Sequence, residues 1–156
     1  MSTAEILRVE DIDVFYGASQ ILFGVSFGVE KGQSLALLGR NGAGKSTTMK
    51  AIIGIAPTKR GTVSVHGVPV QRFTPDRIAR EGVGFVPEDR QIFPEHSVDD
   101  NLKIAIKPGV GGRVDWTLEK IYDVFPILAS MRGRMGGRLS GGEQQMLTIA
   151  RTLMGN

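Results

Sequence analysis

Between positions 39 and 46 the chain reads Gly39-Arg40-Asn41-Gly42-Ala43-Gly44-Lys45-Ser46, a full match to the pattern G-x-x-x-x-G-K-[ST]. This motif works only where a strand runs into a glycine-rich turn and the turn into a helix, so it constrains the fold more than any other feature. The glycines let backbone N–H groups turn inward around a β-phosphate, Lys45 reaches the β and γ oxygens as a point charge, and the Ser46 hydroxyl ligates Mg²⁺. The flanks meet the demand. QSLALLG, residues 33–39, is a short apolar run of the kind buried on both faces of a parallel sheet. Beyond the turn a helix is expected, with Met49, Ile52 and Ile53 on its apolar side and Gly54 at its end.

Around this unit the chain falls into two parts of different character. ILRVEDIDVFY and ILFGVSFGVE alternate in part and read as strands, GTVSVHGVPV as a hairpin, Thr74 to Glu81 as a short helix opened by Thr-Pro, and Gly82 to Val86 as one more strand. Past Pro87 the pattern turns helical. Ser97 is placed to cap a helix reaching Ile106, with Asp99 and Asp100 in its first turn. A helix from about Trp116 buries Leu118, Ile121, Tyr122, Phe125 and Leu128 until Pro126 breaks or bends it. The last helix runs from Gly141 to Leu153, showing Met146, Ile149, Ala150 and Leu153.

Composition narrows the setting. With 156 residues, 41% hydrophobic and 22% charged, the chain can build one packed core. No run approaches the roughly 18 apolar residues of a spanning helix, and the N-terminus lacks a basic segment followed by an apolar one, so direct membrane insertion is not expected and a cytoplasmic location is. The absence of cysteine excludes disulfides and thiolate metal sites. A net charge of +3 spread along the chain, with no aromatic-interleaved basic patch, argues against nucleic acid as a partner.

A second motif, Leu139-Ser140-Gly141-Gly142-Glu143-Gln144-Gln145, heads the last helix. Ser140 reads as an N-cap, and bare glycine amides at a helix start are also an anion site. Taken in order, GRNGAGKST, VPEDRQIFP and LSGGEQQ resemble the ABC transporter ATPase family, from about Leu7 to Asn156. That resemblance implies an α/β P-loop NTPase core with an N-terminal mixed β subdomain and an inserted helical subdomain. The corresponding segments are 1–87 for the ATP-binding core and β subdomain, 88–138 for the helical subdomain, and 139–156 for the signature motif and its helix.

The same resemblance implies a head-to-tail pair of ATPase subunits docked on membrane-spanning permease subunits. Each ATP then lies between one subunit's phosphate loop, residues Gly39 to Thr47, and the other's Leu139, Ser140, Gly141, Gly142, Glu143 and Gln144. An aromatic residue near position 16 stacks on adenine, which points to Tyr16, since Phe15 alternates to the other face. Glu88 stands where the family usually has a glutamine touching Mg²⁺ and the attacking water, and a carboxylate can ligate the same hard cation. His66 and His96 both precede LSGGEQQ and are expected as surface residues.

Within the family, VPEDRQIFPEHSVDDNL and RLSGGEQQMLTIARTLMGN look most like the ATPase subunits of branched-chain amino acid importers, with a urea or short-chain amide importer as the competitor. The family continues past such a helix into an apolar strand ending in Asp-Glu, the residues that orient Mg²⁺ and the attacking water. This sequence ends at Gly155-Asn156. The resemblance therefore implies a C-terminally truncated form lacking the general base, either an importer subunit in part or a catalytically silent nucleotide-binding fragment. The run at Gln33 would then be without its neighbouring strand.

Overall fold

Partial alternation in the first thirty residues produces a long antiparallel hairpin. In the computed structural model, which describes residues 5–156, β1 (Glu5–Tyr16) and β2 (Ser19–Glu30) pair with Tyr16 opposite Ser19. The apolar positions of β1 that face the core are Val9, Ile12 and Val14, so the period of two slips once. The slip is a bulge at Asp11, whose φ is +50° and where the register with both neighbouring strands shifts. Gly61 faces it across the sheet with φ +82°, and a Cβ there would stand 2.3 Å from the Glu10 carbonyl oxygen. β3 (Thr58–Val65) pairs with β1 on its other edge and β4 (Val68–Pro69) with β3, giving an all-antiparallel sheet in the order β2-β1-β3-β4.

The phosphate loop leads into α1 (Lys45–Ile52), which stops where Gly54 takes a φ of +74°. α2 (Pro75–Arg80) starts after Thr74 as the Thr-Pro pair predicts. Two expectations fail in this part. Residues 33–39 form no strand; Leu35 is 47% and Leu38 91% exposed. Among the described residues no strand lies beside this run, and an extended apolar segment without a ladder has neither hydrogen bonds nor a face to bury. Met49 is also exposed, because α1 turns Thr47, Thr48, Ala51 and Ile52 inward. Thr48 tolerates burial because its Oγ1 donates to the Gly44 carbonyl at 3.0 Å.

The chain divides into two compact units, one ending at Glu81 and one comprising Gly82–Asn156. The second is helical: α3 (Val98–Lys103), α4 (Leu118–Val124), α5 (Pro126–Ser130) and α6 (Gly141–Leu153), with single 3₁₀ turns at Val110–Gly112 and Gly136–Arg138. Ser97 caps α3 by accepting from the Asp100 amide, and Pro126 separates α4 from α5, both as the sequence predicts. Val98, Leu102, Ile121, Leu128 and Leu147 meet in a core at 0% exposure. Asn101, equally buried, has every polar atom paired: Oδ1 accepts from the Phe93 amide at 2.8 Å and Nδ2 donates to the carbonyls of Phe93, His96 and Ser97.

Here too some expectations need correcting. Gly82 to Val86 is irregular, although Thr152 Oγ1 donates to its Phe85 carbonyl. α3 ends at Lys103 short of Ile106, and α4 begins at Leu118, after Thr117 rather than Trp116, because the Thr117 hydroxyl caps the Lys120 amide. α6 has its predicted bounds, but its buried stripe is Leu147, Thr148 and Ala150, leaving Ile149 38% exposed. The Thr148 hydroxyl, returned to the Gln144 carbonyl at 2.8 Å, lets a polar residue take that face. Urea denaturation should therefore separate two neighbours: Leu147→Ala costs about 2 to 5 kcal/mol of stability, whereas Ile149→Ala changes it by about 0.5 kcal/mol or less.

Candidate functional site

Backbone conformation builds the phosphate loop. Gly42 and Gly44 adopt φ values of +84° and +91°, a region that side chains disfavour. At Gly44 space is forbidding as well, since a Cβ would stand 2.6 Å from Leu22 Cδ2 on β2. The Ala43 amide closes the turn on the Arg40 carbonyl at 3.1 Å, and the Thr48 amide bonds back to Gly44 at 2.8 Å, so α1 starts directly from the loop. No side chain caps α1 and no carboxylate stands in its first turn. The positive end of the helix dipole is thus open to an anion.

Lys45 reaches back over the loop. Its Nζ donates to the Gly39 and Arg40 carbonyls at 2.8 and 3.0 Å, which holds the ammonium above the turn. Residues Gly39, Arg40, Asn41, Gly42, Ala43, Gly44, Lys45, Ser46 and Thr47 form one continuous stretch in which Asn41, Gly42 and Ala43 are exposed, while Gly44 and Thr47 are buried beneath. The donor set fits a polyphosphate: bare glycine amides, a cation and a helix N-terminus converge there. Ser46, exposed in the first turn of α1, offers a hydroxyl of the kind that Mg²⁺ takes together with phosphate oxygens. Tyr16 ends β1 with 49% of its surface exposed, whereas Phe15 is half-buried under the Lys59 ammonium, 4.7 Å from the ring centroid. The two aromatics therefore differ as the strand alternation predicts.

In the second unit Ser140 is the N-cap of α6 and closes a reciprocal capping box. Its hydroxyl accepts from the Glu143 amide, and Glu143 Oε2 accepts from the Ser140 amide at 2.6 Å. Hydrogen bonding from the Ser140 backbone amide, and less from the Ser140 side chain, holds the Glu143 carboxyl below its ordinary pKa of 4.5. Leu139 is buried behind the cap and Gln144 Nε2 donates to the Gly136 carbonyl, so the motif is anchored on both sides. Gly141 and Gly142 occupy the first two helical positions, Gly142 with open space where a Cβ would project. Glu88 lies in an exposed turn. Among the described residues no cluster of three or more His, Asp or Glu side chains could hold a metal ion by itself. His66 and His96 are exposed, His96 edge-on to Phe93.

The model of the ABC transporter family matches residues 22–156. The chain belongs to the ABC transporter family. A probable branched-chain amino acid transport ATP-binding protein, LivF of Archaeoglobus fulgidus, is 35% identical over 153 residues, 96% of this chain and 63% of that protein. The ribose import ATP-binding protein RbsA of Shouchella clausii is 35% identical over 161 residues, 97% of this chain and 32% of that protein. A nucleotide-free ATP-binding cassette from an ABC transporter aligns with a TM-score of 0.78 at 31% identity, covering 97% of this chain and 66% of that one. The chain thus spans less than two thirds of the length of either relative, and their names differ in the solute they move. The α/β cassette fold read from the motif order is the fold found. No helix among the described residues is long and apolar enough to cross a membrane.

Contacts around the two ABC motifs include residues that pattern matching did not single out. Leu22 supports Gly44, and Thr48 anchors the loop, but neither carries a signal in sequence beyond being apolar or hydroxylated. Arg134 approaches Glu143 at 4.0 Å. Because the Glu143 pKa is depressed on folding, the capping carboxylate stabilises the fold above the ordinary glutamate pKa, and that contribution is lost as pH falls through the folded value. Melting curves of wild type and Glu143→Gln should accordingly differ most well above the ordinary glutamate pKa and converge as the pH is lowered past it and through the depressed folded value.

Proposed function

We propose that this chain is the ATP-binding part of an ABC importer, in which ATP binding and hydrolysis drive uptake of amino acids of the branched-chain class. The observation that carries the nucleotide reading is the uncapped start of α1 beneath Gly44 and Lys45, an anion cradle whose turn at Gly44 leaves no room for a Cβ against Leu22. Support for the solute comes from the relative named for branched-chain amino acid transport, aligned over 96% of this chain.

In this reading Tyr16 stacks on the base, the amides of residues 39–47 and the Lys45 ammonium bind the phosphates, and Ser46 and Glu88 hold Mg²⁺. Bound magnesium supplies charge neutralisation to the triphosphate. Leu139 to Gln144 face the ATP of a second subunit packed head to tail. Permease subunits hold the pair at the cytoplasmic face of the membrane. The chain itself contributes cradle and cap.

Calorimetry should show that Lys45→Ala costs about 2 to 4 kcal/mol of ATP affinity, the loss of charge-assisted contacts to the phosphates. Equal affinities would remove the nucleotide assignment. Glu88→Gln should shift the magnesium dependence of binding more than binding measured in chelator, and an unchanged titration would return Glu88 to a solvated turn. Uptake of labelled leucine against ribose and urea, in cells with and without this gene, tests the solute; an amino-acid-independent phenotype would discard that part alone.

A further inference from the structure

Of the three asparagines in the chain, two have their side-chain amides fully engaged. Asn101 is wholly buried on α3 with each polar atom paired. Asn156 accepts from the Trp116 amide and donates to the carbonyls of Lys107, Trp116 and Met154. Asn41 differs on every count. It is exposed in the turn of the phosphate loop, its side chain forms no hydrogen bond among the described residues, and the residue that follows it is Gly42. The Gly42 amide likewise donates to no acceptor among the described residues, and open space lies where a Cβ would stand beside it.

An asparagine side chain and the backbone nitrogen of the next residue are the two partners of a ring closure. The Gly42 nitrogen gives up its proton to solvent and attacks Asn41 Cγ. A bond forms between them, the Cγ–Nδ2 bond breaks, and the side-chain nitrogen departs as ammonia, taking a proton in place of the one that Gly42 gave up. Water then opens the cyclic imide at either carbonyl. One opening leaves aspartate; the other leaves isoaspartate, whose main chain runs through the side-chain methylene. Water is the only co-reactant, and nothing is oxidised or reduced.

The loop favours this step. A bulky following side chain would shield the attacking nitrogen, and Gly42 has none. Lys45 Nζ, held on the Arg40 carbonyl at 3.0 Å, places a positive charge at the peptide just before Asn41, where it stabilises both the amide anion and the oxyanion that forms on the attacked carbonyl. What restrains the rotation bringing nitrogen to Cγ is the bond from the Ala43 amide to the Arg40 carbonyl, at 3.1 Å.

We propose that Asn41 is a self-modification site, converting through a cyclic imide to aspartate and isoaspartate in the nucleotide-free chain and shielded when a bound anion accepts from the Gly42 amide. That shielding rests on the nucleotide reading of the proposed function. Conversion disables the loop, because a carboxylate then stands among donors meant for phosphate, and isoaspartate lengthens the main chain of a tight turn.

Peptide mapping by mass spectrometry tests it, on the full chain held near neutral pH and in mild alkali, with and without saturating Mg²⁺ and the slowly hydrolysed analogue ATPγS. Without nucleotide, the peptide bearing Asn41 should gain the mass of an amide-to-acid exchange, faster in alkali, and accept methyl groups from an isoaspartyl methyltransferase, while the peptide bearing Asn101 stays unchanged. ATPγS should slow the gain about tenfold or more, since attack awaits release of the anion. Ion exchange separates the more acidic aged fraction, whose affinity for ATPγS should be lower by about tenfold or more. Asn41 that stays intact in the folded chain while the urea-unfolded chain is modified overturns the proposal, as the turn then wins. Asn101 reacting in step with Asn41 overturns it too, since unfolding and not the loop is then the cause. Conversion at an equal rate with ATPγS bound, or an aged fraction that binds as tightly as fresh protein, overturns the link to the loop's occupancy. Fresh chain that binds no ATPγS strikes the nucleotide reading and the shielding with it, whereas conversion of Asn41 is still decided by its own mass gain.

Discussion

The phosphate loop of this molecule depends on one backbone torsion, the φ of +91° that Gly44 holds against Leu22. That torsion carries the tight turn at residues 40–43 directly into α1, and so leaves the helix start facing the turn. Leu22 is 3% exposed and belongs to β2, so the wall behind the loop is part of the sheet core. Stability and binding are therefore linked there. The bulge at Asp11, with Gly61 opposite, does a similar service one strand away, keeping Val9, Ile12 and Val14 on the core face despite the slipped period. Two glycine conformations, neither replaceable by a side chain, fix the platform.

In the helical unit the same dependence runs through α6. Its N-terminus carries the capping box, its middle contributes Leu147 and Ala150 to the core, and Arg151 near its end reaches Gln91. Asn101 secures the following segment from α3. Because Asn101 is wholly buried with its polar atoms paired, deleting it would leave several backbone groups unsatisfied rather than a mere void. The segment between Arg90 and Ser97 thus inherits its shape from two helices.

How much of this was legible in sequence varies with the kind of signal. The phosphate loop, the capped start of α3, the break at Pro126 and the bounds of α6 are local chemistry, and each appears where its residues put it. Residues 33–39 were misread because a short apolar run reports only that it could be buried; whether it pairs depends on another strand. Met49 and Ile149 were assigned to apolar stripes by residue type, while Thr48 and Thr148 took buried positions by returning their hydroxyls to the preceding turn. Apolar periodicity has no term for a self-satisfied threonine. Arg90 was visible only as part of VPEDR, and its contact with Gly141 spans 51 residues of chain, beyond any local pattern.

The two motif helices solve their N-termini in opposite ways, and the difference bears on what each can do. α1 leaves its first turn without a cap or a carboxylate, so its own stability lacks that contribution and an anion bound there would supply it. α6 caps itself with Ser140 and Glu143, which stabilises the helix in the absence of any ligand but places a negative charge beside its amides. An anion approaching α6 is opposed by that carboxylate and needs a compensating cation. Arg90 beside Gly141 and Arg134 near Glu143 provide positive charge, and Arg134 is the one paired with Glu143. Lys45 meets the converse situation. Its ammonium already spends hydrogen bonds on two neutral carbonyls of the loop, and under the proposed function phosphate oxygens, as charged acceptors, would replace them with stronger bonds. The self-capped α6 is complete without a ligand, whereas the bare start of α1, with its lysine held in place, leaves its first amides to be satisfied from outside the helix.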